Sequence, residues 1–437
     1  MRRGPALVAL LLAATALGGL SGCSVFGSDG ATDNTASGDR SKPSAGAAKP
    51  SNGAAASSPP APVVDPEARS GWGPTLGEIE QARATVVSLT LDEKIALVLM
   101  PGFWGYDGTD PTPAEAAQNE LMHGVPSAVD AVTARPYGGL FLRPEVIGDA
   151  DQIQSLATQL HDAGDGPDGL PLLISMDQEG GVVQRLKEGV AVVPSAASVG
   201  ATGDPAYAHE VARDNGRTLL GLGVTMVLAP VADVDPDGSS VIGSRAYSSN
   251  RKTAAEMVVA TVEGYLEAGV VPAVKHFPGL GTVTGDSHRS LPIQDKSVAQ
   301  LERTDLRTFA AAIDAGAPVI MTAHVAVPQI EADVPASLSA EVIGTLLRDR
   351  LGFKGVAITD SQGMGPVHGP YGPAEGAIRS LLAGNDLILN SPKPDKAFRA
   401  LRRAVESGRI PQERLDEAAT RVEALRVYQQ RLASAAG

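Results

Sequence analysis

The densest chemistry in the chain lies in Lys275-His276-Phe277-Pro278-Gly279-Leu280-Gly281-Thr282-Val283-Thr284-Gly285-Asp286-Ser287-His288. Its glycines and Pro278 exclude a helix and imply a shaped loop that follows a strand. Asp286 and His288 stand two residues apart, a spacing that lets a carboxylate orient an imidazole. Histidine titrates near neutrality, so such a pair suits general acid/base work. A second rich segment is Asp177-Gln178-Glu179-Gly180-Gly181-Val182-Val183-Gln184-Arg185-Leu186. There an Asp leaves a strand, a Gly pair turns the backbone, and an Arg returns, a pattern suited to recognising hydroxyls and amides through charged hydrogen bonds. The third is Gly355–Met364, in which Asp360 ends a fully apolar run. A carboxylate so placed can attack an acetal carbon. His276, His288 and His324 offer a metal site on paper, but no HxH or HExxH motif supports one. Ser287 and Ser361 offer a serine triad, but no GxSxG elbow surrounds either. No metal and no cofactor is expected.

These groups need a scaffold, and the apolar pattern supplies one. Gly138–Leu142, Pro171–Asp177, Val224–Pro230, Val270–Phe277, Pro318–Val325, Gly355–Ser361 and Asp386–Asn390 are short and apolar, and read as buried strands. Between them Ala150–Ala163, Pro205–Leu222, Thr253–Ala268, Val298–Ala315, Ser339–Leu351 and Pro373–Ala383 carry helical spacing. The fold class is therefore α/β, and eight such units close a (β/α)₈ TIM-type barrel. The eighth strand falls near Leu97–Gly102, a stretch that also reads as the end of the helix opened by Thr90-Leu91-Asp92-Glu93. An open doubly wound sheet is the alternative, although no GxGxxG follows any strand. Asp177, Asp233, Lys275-His276, His324, Asp360 and Asn390 all fall at or just past strand ends, where such folds place small-molecule sites.

Composition narrows the function further. The 437 residues hold 36 Lys and Arg against 50 Asp and Glu, for a net charge of −14. An acidic chain with 4% aromatics is a poor nucleic-acid binder. The single cysteine, Cys23, excludes intrachain disulfides and cysteine-based metal clusters. Arg2 and Arg3 precede an apolar stretch from Ala6 to Leu17, and Leu20-Ser21-Gly22-Cys23 reads as a bacterial lipobox. Residues 1–22 are thus expected to be a lipoprotein signal peptide. Residues 23–72 form a lipidated Cys23 and a disordered tether rich in Ser, Ala, Gly and Pro, and 73–437 a single catalytic barrel. The expected location is extracytoplasmic, lipid-anchored to the cell membrane, with the chain acting as a monomer.

Taken together, LTLDEKIALVLMPGF, GGLFL, DQEGGVVQRL, VLAPVADV, IGSRAYS, KHFPGLGTVTGDSH, MTAHVAVP, GFKGVAITDSQGM and LLAGNDLIL resemble glycoside hydrolase family 3, in particular its β-N-acetylhexosaminidase branch. The resemblance implies a (β/α)₈ barrel and retaining hydrolysis of terminal β-linked N-acetylglucosamine from cell-wall or chitin-type oligosaccharides. It implies that Asp360 is the nucleophile and that His288 is the acid/base with Asp286 as its partner. It further implies that Asp177, Arg185, Arg245, Lys275 and His276 hold the terminal sugar. The chain departs from the family pattern where Val182 replaces an Arg and Leu280 a His. Two other functions fit the same residues: a sugar-binding lipoprotein with little hydrolysis, and a β-N-acetylglucosaminide phosphorylase.

Overall fold

The computed structural model describes residues 65–164, 170–238, 240–283, 285 and 290–437. Cys23, the signal peptide, the tether up to residue 64, Asp286 and His288 lie outside the described residues.

Eight parallel strands make the centre: β1 Leu99–Met100, β2 Gly139–Phe141, β3 Leu173–Met176, β4 Met226–Val227, β5 Val271–Phe277, β6 Val319–Thr322, β7 Val356–Thr359 and β8 Ile388–Leu389. Strands β2 to β7 pair in sequence order, and β1 pairs with β8. Two parallel bridges close the ring, Ile358 to Leu387 and Gly102 to Phe141. Closure excludes the open doubly wound sheet. The Leu97–Gly102 stretch resolves into both of its readings. Thr90 caps a helix over Leu91–Leu97 through a reciprocal box with Glu93, and β1 begins two residues later.

Strand periodicity assigns the side chains. Met100, Leu173, Met226, Val271, Val319, Val356 and Leu389 belong to one buried cluster that fills the barrel. Their neighbours Ile174, Val227 and Ile388 pack against the surrounding helices. Burial on both faces explains why the strands appear in the sequence as continuous apolar runs. The floor of the barrel is supplied by the C-terminal helix Gln412–Ala436, whose Val422, Leu425 and Tyr428 join the interior cluster. Trp72 joins it as well and is only 4% exposed, while Arg69 bridges to Thr75. The packed region therefore begins before residue 73, because an indole ring seated on the barrel floor draws the preceding turn with it.

Two expected helices differ in detail. Val298–Ala315 is two helices, Val298–Arg303 and Leu306–Asp314. Thr304 Oγ1 donates to the Gln300 carbonyl at 2.7 Å at the break, a side-chain bond that competes with helix continuation. Ser339–Leu351 is shortened to Glu341–Arg350, which winds with the wider i→i+5 pattern. Among the described residues no helix is long and apolar enough to cross a membrane.

A fully buried carboxylate ties this helix to the strands. Asp386, just before β8, accepts from Arg348 at 2.6 Å, Arg414 at 2.8 Å and Arg421 at 3.1 Å, and from the Ala357 amide at 3.0 Å. Burial alone would push its carboxyl up. The three guanidinium groups and the amide outweigh burial and hold it far below the usual aspartate range. Asp386→Ala should lower stability by about 3–5 kcal/mol, because three cations lose their counter-charge in a buried site. A depressed carboxyl stabilises above the unfolded pKa, about 4, and the contribution is lost as pH falls toward the folded value. Urea denaturation at neutral pH and in acid should thus show the gap between wild type and Asp386→Ala narrowing in acid.

Candidate active site

The C-terminal ends of the strands meet above the filled interior. Asp177 directly follows β3, Lys275 and His276 lie within β5, and Asp360 directly follows β7. After Asp177 the chain makes a hairpin, Gln178–Gly180 against Val183–Gln184. Its tip needs Gly180 and Gly181, whose φ angles are +99° and +55°. A Cβ on Gly180 would also stand 2.4 Å from the Pro194 carbonyl. The hairpin delivers Glu179 and Arg185 to the rim, and a short turn over Gly243–Arg245 delivers Arg245. These side chains surround a cavity of about 460 Å³. Its remaining wall is apolar: Val183, Val241, Ile242 and Leu280.

Glu179 organises the charge. Its two oxygens take the Arg245 fork, Nε to Oε2 and Nη2 to Oε1, both at 2.8 Å. The same Oε1 lies 2.7 Å from Lys275 Nζ, which also donates to Asp177 Oδ1 at 2.8 Å. Burial would raise the Glu179 carboxyl, but Lys275 and Arg245 overcome it and hold the group at about 2. Burial likewise opposes the Lys275 charge, and Asp177 and Glu179 reverse that effect, raising the ammonium above its ordinary value. Glu179, Arg245 and Lys275 therefore stay charged at neutral pH.

His276 is held from behind by Asp233, with Nδ1 to Oδ2 at 2.6 Å, while its Nε2 lies 3.4 Å from Arg245 Nη2. The bond between Lys275 and His276 is cis, and both side chains line the cavity. Asp360 accepts from the Ser361 amide at 2.7 Å. Burial would raise the Asp360 carboxyl, yet the neighbouring His324 and His276 imidazoles, the Ser361 amide and Lys275 bring it below the ordinary range. It is a carboxylate at neutral pH, the form a nucleophile needs. His324 bridges Ser337 Oγ at 2.7 Å and the Ser361 carbonyl at 2.9 Å, and Asn390 Nδ2 donates to Ser361 Oγ at 2.9 Å. The residue beside Asp360 is thus clamped on two sides. Among the described residues no three His, Cys, Asp or Glu side chains group as metal ligands.

Six sequence-derived residues come together here: Asp177, Arg185, Arg245, Lys275, His276 and Asp360 all line the cavity. Asp286 and His288 fall outside the described residues. Val182 is 70% exposed at the hairpin tip, and Leu280 is buried in the cavity wall. Sequence reasoning passed over Glu179 as a site residue. Its only local signal is an acidic residue two positions after Asp177, on the same face of an extended segment.

The family model for the glycosyl hydrolase family 3 N terminal domain matches residues 90–425, and the chain belongs to this family. A beta-hexosaminidase A from Pseudoalteromonas piscicida is 31% identical over 373 residues, covering 79% of this chain and 62% of the relative. A beta-hexosaminidase from Xylella fastidiosa is 38% identical over 244 residues, covering 54% of this chain and 71% of the relative. Among solved structures, a glycoside hydrolase family 3 beta-N-acetylglucosaminidase from Paenibacillus sp. superposes with a TM-score of 0.71 at 38% identity, over 78% of this chain and 63% of that one. The chain thus spans under two thirds of the Pseudoalteromonas and Paenibacillus proteins.

The charge cluster makes one expectation directly testable. Glu179→Ala leaves Lys275 and Arg245 buried with half their compensation, so stability should fall by about 3–5 kcal/mol. Adding Lys275→Met removes one of the stranded cations and should return part of the loss. Chemical denaturation of the single and double variants reads both effects.

Proposed function

We propose that this chain is a retaining exo-β-N-acetylglucosaminidase that removes terminal β-linked N-acetylglucosamine from cell-wall or chitin-type oligosaccharides. The observation that carries the reading is Asp360, an ionised carboxylate on a rigid strand end, facing a cavity lined by Asp177, Arg245, Lys275 and His276. In that cavity the carboxylate attacks the anomeric carbon and the glycosidic oxygen leaves with a proton. His288, oriented by Asp286, supplies that proton and then takes one from the water that releases the sugar. Asp177, Arg185, Arg245, Lys275 and His276 hold the terminal sugar. Arg185 is suited to the task because its side chain has no hydrogen bond or ion pair among the described residues.

Water is favoured over phosphate as the acceptor. Lys275 and Arg245 are already matched by Asp177 and Glu179, and Asp360 offsets Arg185, so the cavity has little net attraction for an anion. Cys23 is read as the lipidated residue that holds a monomeric enzyme on the outer side of the cell membrane.

The deciding experiment is p-nitrophenyl-N-acetyl-β-glucosaminide cleavage with and without phosphate, with the product weighed by mass spectrometry. Free N-acetylglucosamine in both conditions supports a hydrolase; a sugar phosphate identifies a phosphorylase, and no turnover leaves a binding protein. Asp360→Ala should lower turnover by several orders of magnitude. In the same panel His288→Ala should cost roughly 10²–10⁴-fold on chitooligosaccharides and far less on the aryl glycoside, which needs little protonation. An equal loss on both substrates would remove His288 from the acid role. For the anchor, Cys23→Ser should move the protein out of the membrane fraction or leave it at precursor size; a mature-sized, membrane-bound variant contradicts lipidation.

A further inference from the structure

We infer that Asp233 is a positioning residue that sets the hydrogen-bonding face His276 turns to the substrate, so that the site selects a free sugar hydroxyl there. The inference rests on the reading that His276 holds the terminal sugar. Asp233 is 2% exposed, lies past the end of β4, and is not part of the cavity wall. Among the described residues its hydrogen bonds all go to one segment. Oδ2 accepts from His276 Nδ1 at 2.6 Å and from the His276 amide at 3.2 Å, and Oδ1 accepts from the Leu280 amide at 2.6 Å.

These contacts fix where the imidazole proton sits. A carboxylate has no proton to give, so Nδ1 is the donor. On the other side Nε2 faces Arg245 Nη2 at 3.4 Å, and a guanidinium only donates. Nε2 therefore carries its lone pair toward the cavity. A lone pair beside a guanidinium is an acceptor next to donors. One hydroxyl matches both, since it donates once and accepts as well. An ether oxygen or a carboxylate at this point has no proton to offer Nε2, which then keeps only the 3.4 Å contact to Arg245. The Leu280 amide bond holds the start of the following loop against the same carboxylate, so imidazole and loop are set together.

Asparagine at 233 keeps the size but has one acceptor oxygen for three donors. When its amide faces His276, the imidazole proton moves to Nε2, and the cavity face changes from acceptor to donor. In the full chain, Asp233→Asn should reduce kcat/KM on the aryl glycoside about 10–100-fold, the range seen when a histidine loses its orienting partner. The loss should fall mainly on KM, with a matching rise in Ki for free N-acetylglucosamine. In a His276→Ala background the same substitution should cost less than about threefold, because residues acting through one another are not additive. Equal losses in both backgrounds, or an unchanged KM, overturn the proposal. Imidazole ¹⁵N shifts of the wild-type protein give a reading that needs no variant to fold. Protonated Nδ1 and unprotonated Nε2 are expected, and the reverse overturns the proposal. If wild type fails to cleave the aryl glycoside, the functional reading falls, while the ¹⁵N result still decides the tautomer.

Discussion

A closed parallel barrel whose interior is filled with apolar side chains leaves charge carried at its strands only two places to go, the rims above and below. That constraint divides the molecule. Leu173, Met226, Val271, Val319 and Val356 exclude water from the middle. Below, Asp386 gathers Arg348, Arg414 and Arg421, and Arg426 pairs with Glu423 on the C-terminal helix. Above, Asp177, Glu179, Lys275 and Arg245 form the other charged layer. Each layer holds its charges by mutual compensation, because neither can rely on bulk solvent. The lower layer joins helices to strands. The upper layer surrounds open space.

Compensation in the upper layer also explains how a site dense in charge can still suit an uncharged substrate. Lys275 and Arg245 are fixed in place by Glu179, which spends both of its oxygens on them. Their remaining N–H groups point from rigid positions, with little left to reorganise when an uncharged ligand arrives. Asp360 keeps its charge by a different route. Among the described residues it has one amide bond and a surrounding of positive or polar groups but no direct ion pair. A carboxylate tied up like Glu179 would be a weak nucleophile; one placed like Asp360 is available.

The strands were legible because both of their faces are buried, so each appears as an unbroken apolar run. The ambiguous one was Leu99–Met100, two residues long and joined closely to a helix, where the two periodicities overlap. The strand-end residues Asp177, Lys275, His276 and Asp360 could be placed on one rim because a parallel barrel sends every C-terminal end the same way. What one-dimensional pattern could not supply was pairing. Glu179 meets Arg245 66 residues later, and Asp233 meets His276 43 residues later. Nothing local to either acid marks it as a partner rather than a ligand-binding group. The break at Thr304 was likewise hidden, because apolar spacing continues through it and only a hydroxyl bond to the backbone ends the helix.

The C-terminal helix has a bearing on how the chain is made. Gln412–Ala436 follows the last strand, yet its Val422, Leu425 and Tyr428 complete the interior, and Arg426 reaches back to the carbonyl of Leu170 ahead of β3. During synthesis the eight strands all emerge before the plug that seats them. Until that helix arrives, the lower ends of the ring face water with their apolar side chains uncovered. Completion of the barrel therefore comes after its strands have been made, set by the helix that follows them and not by the strands that define its shape.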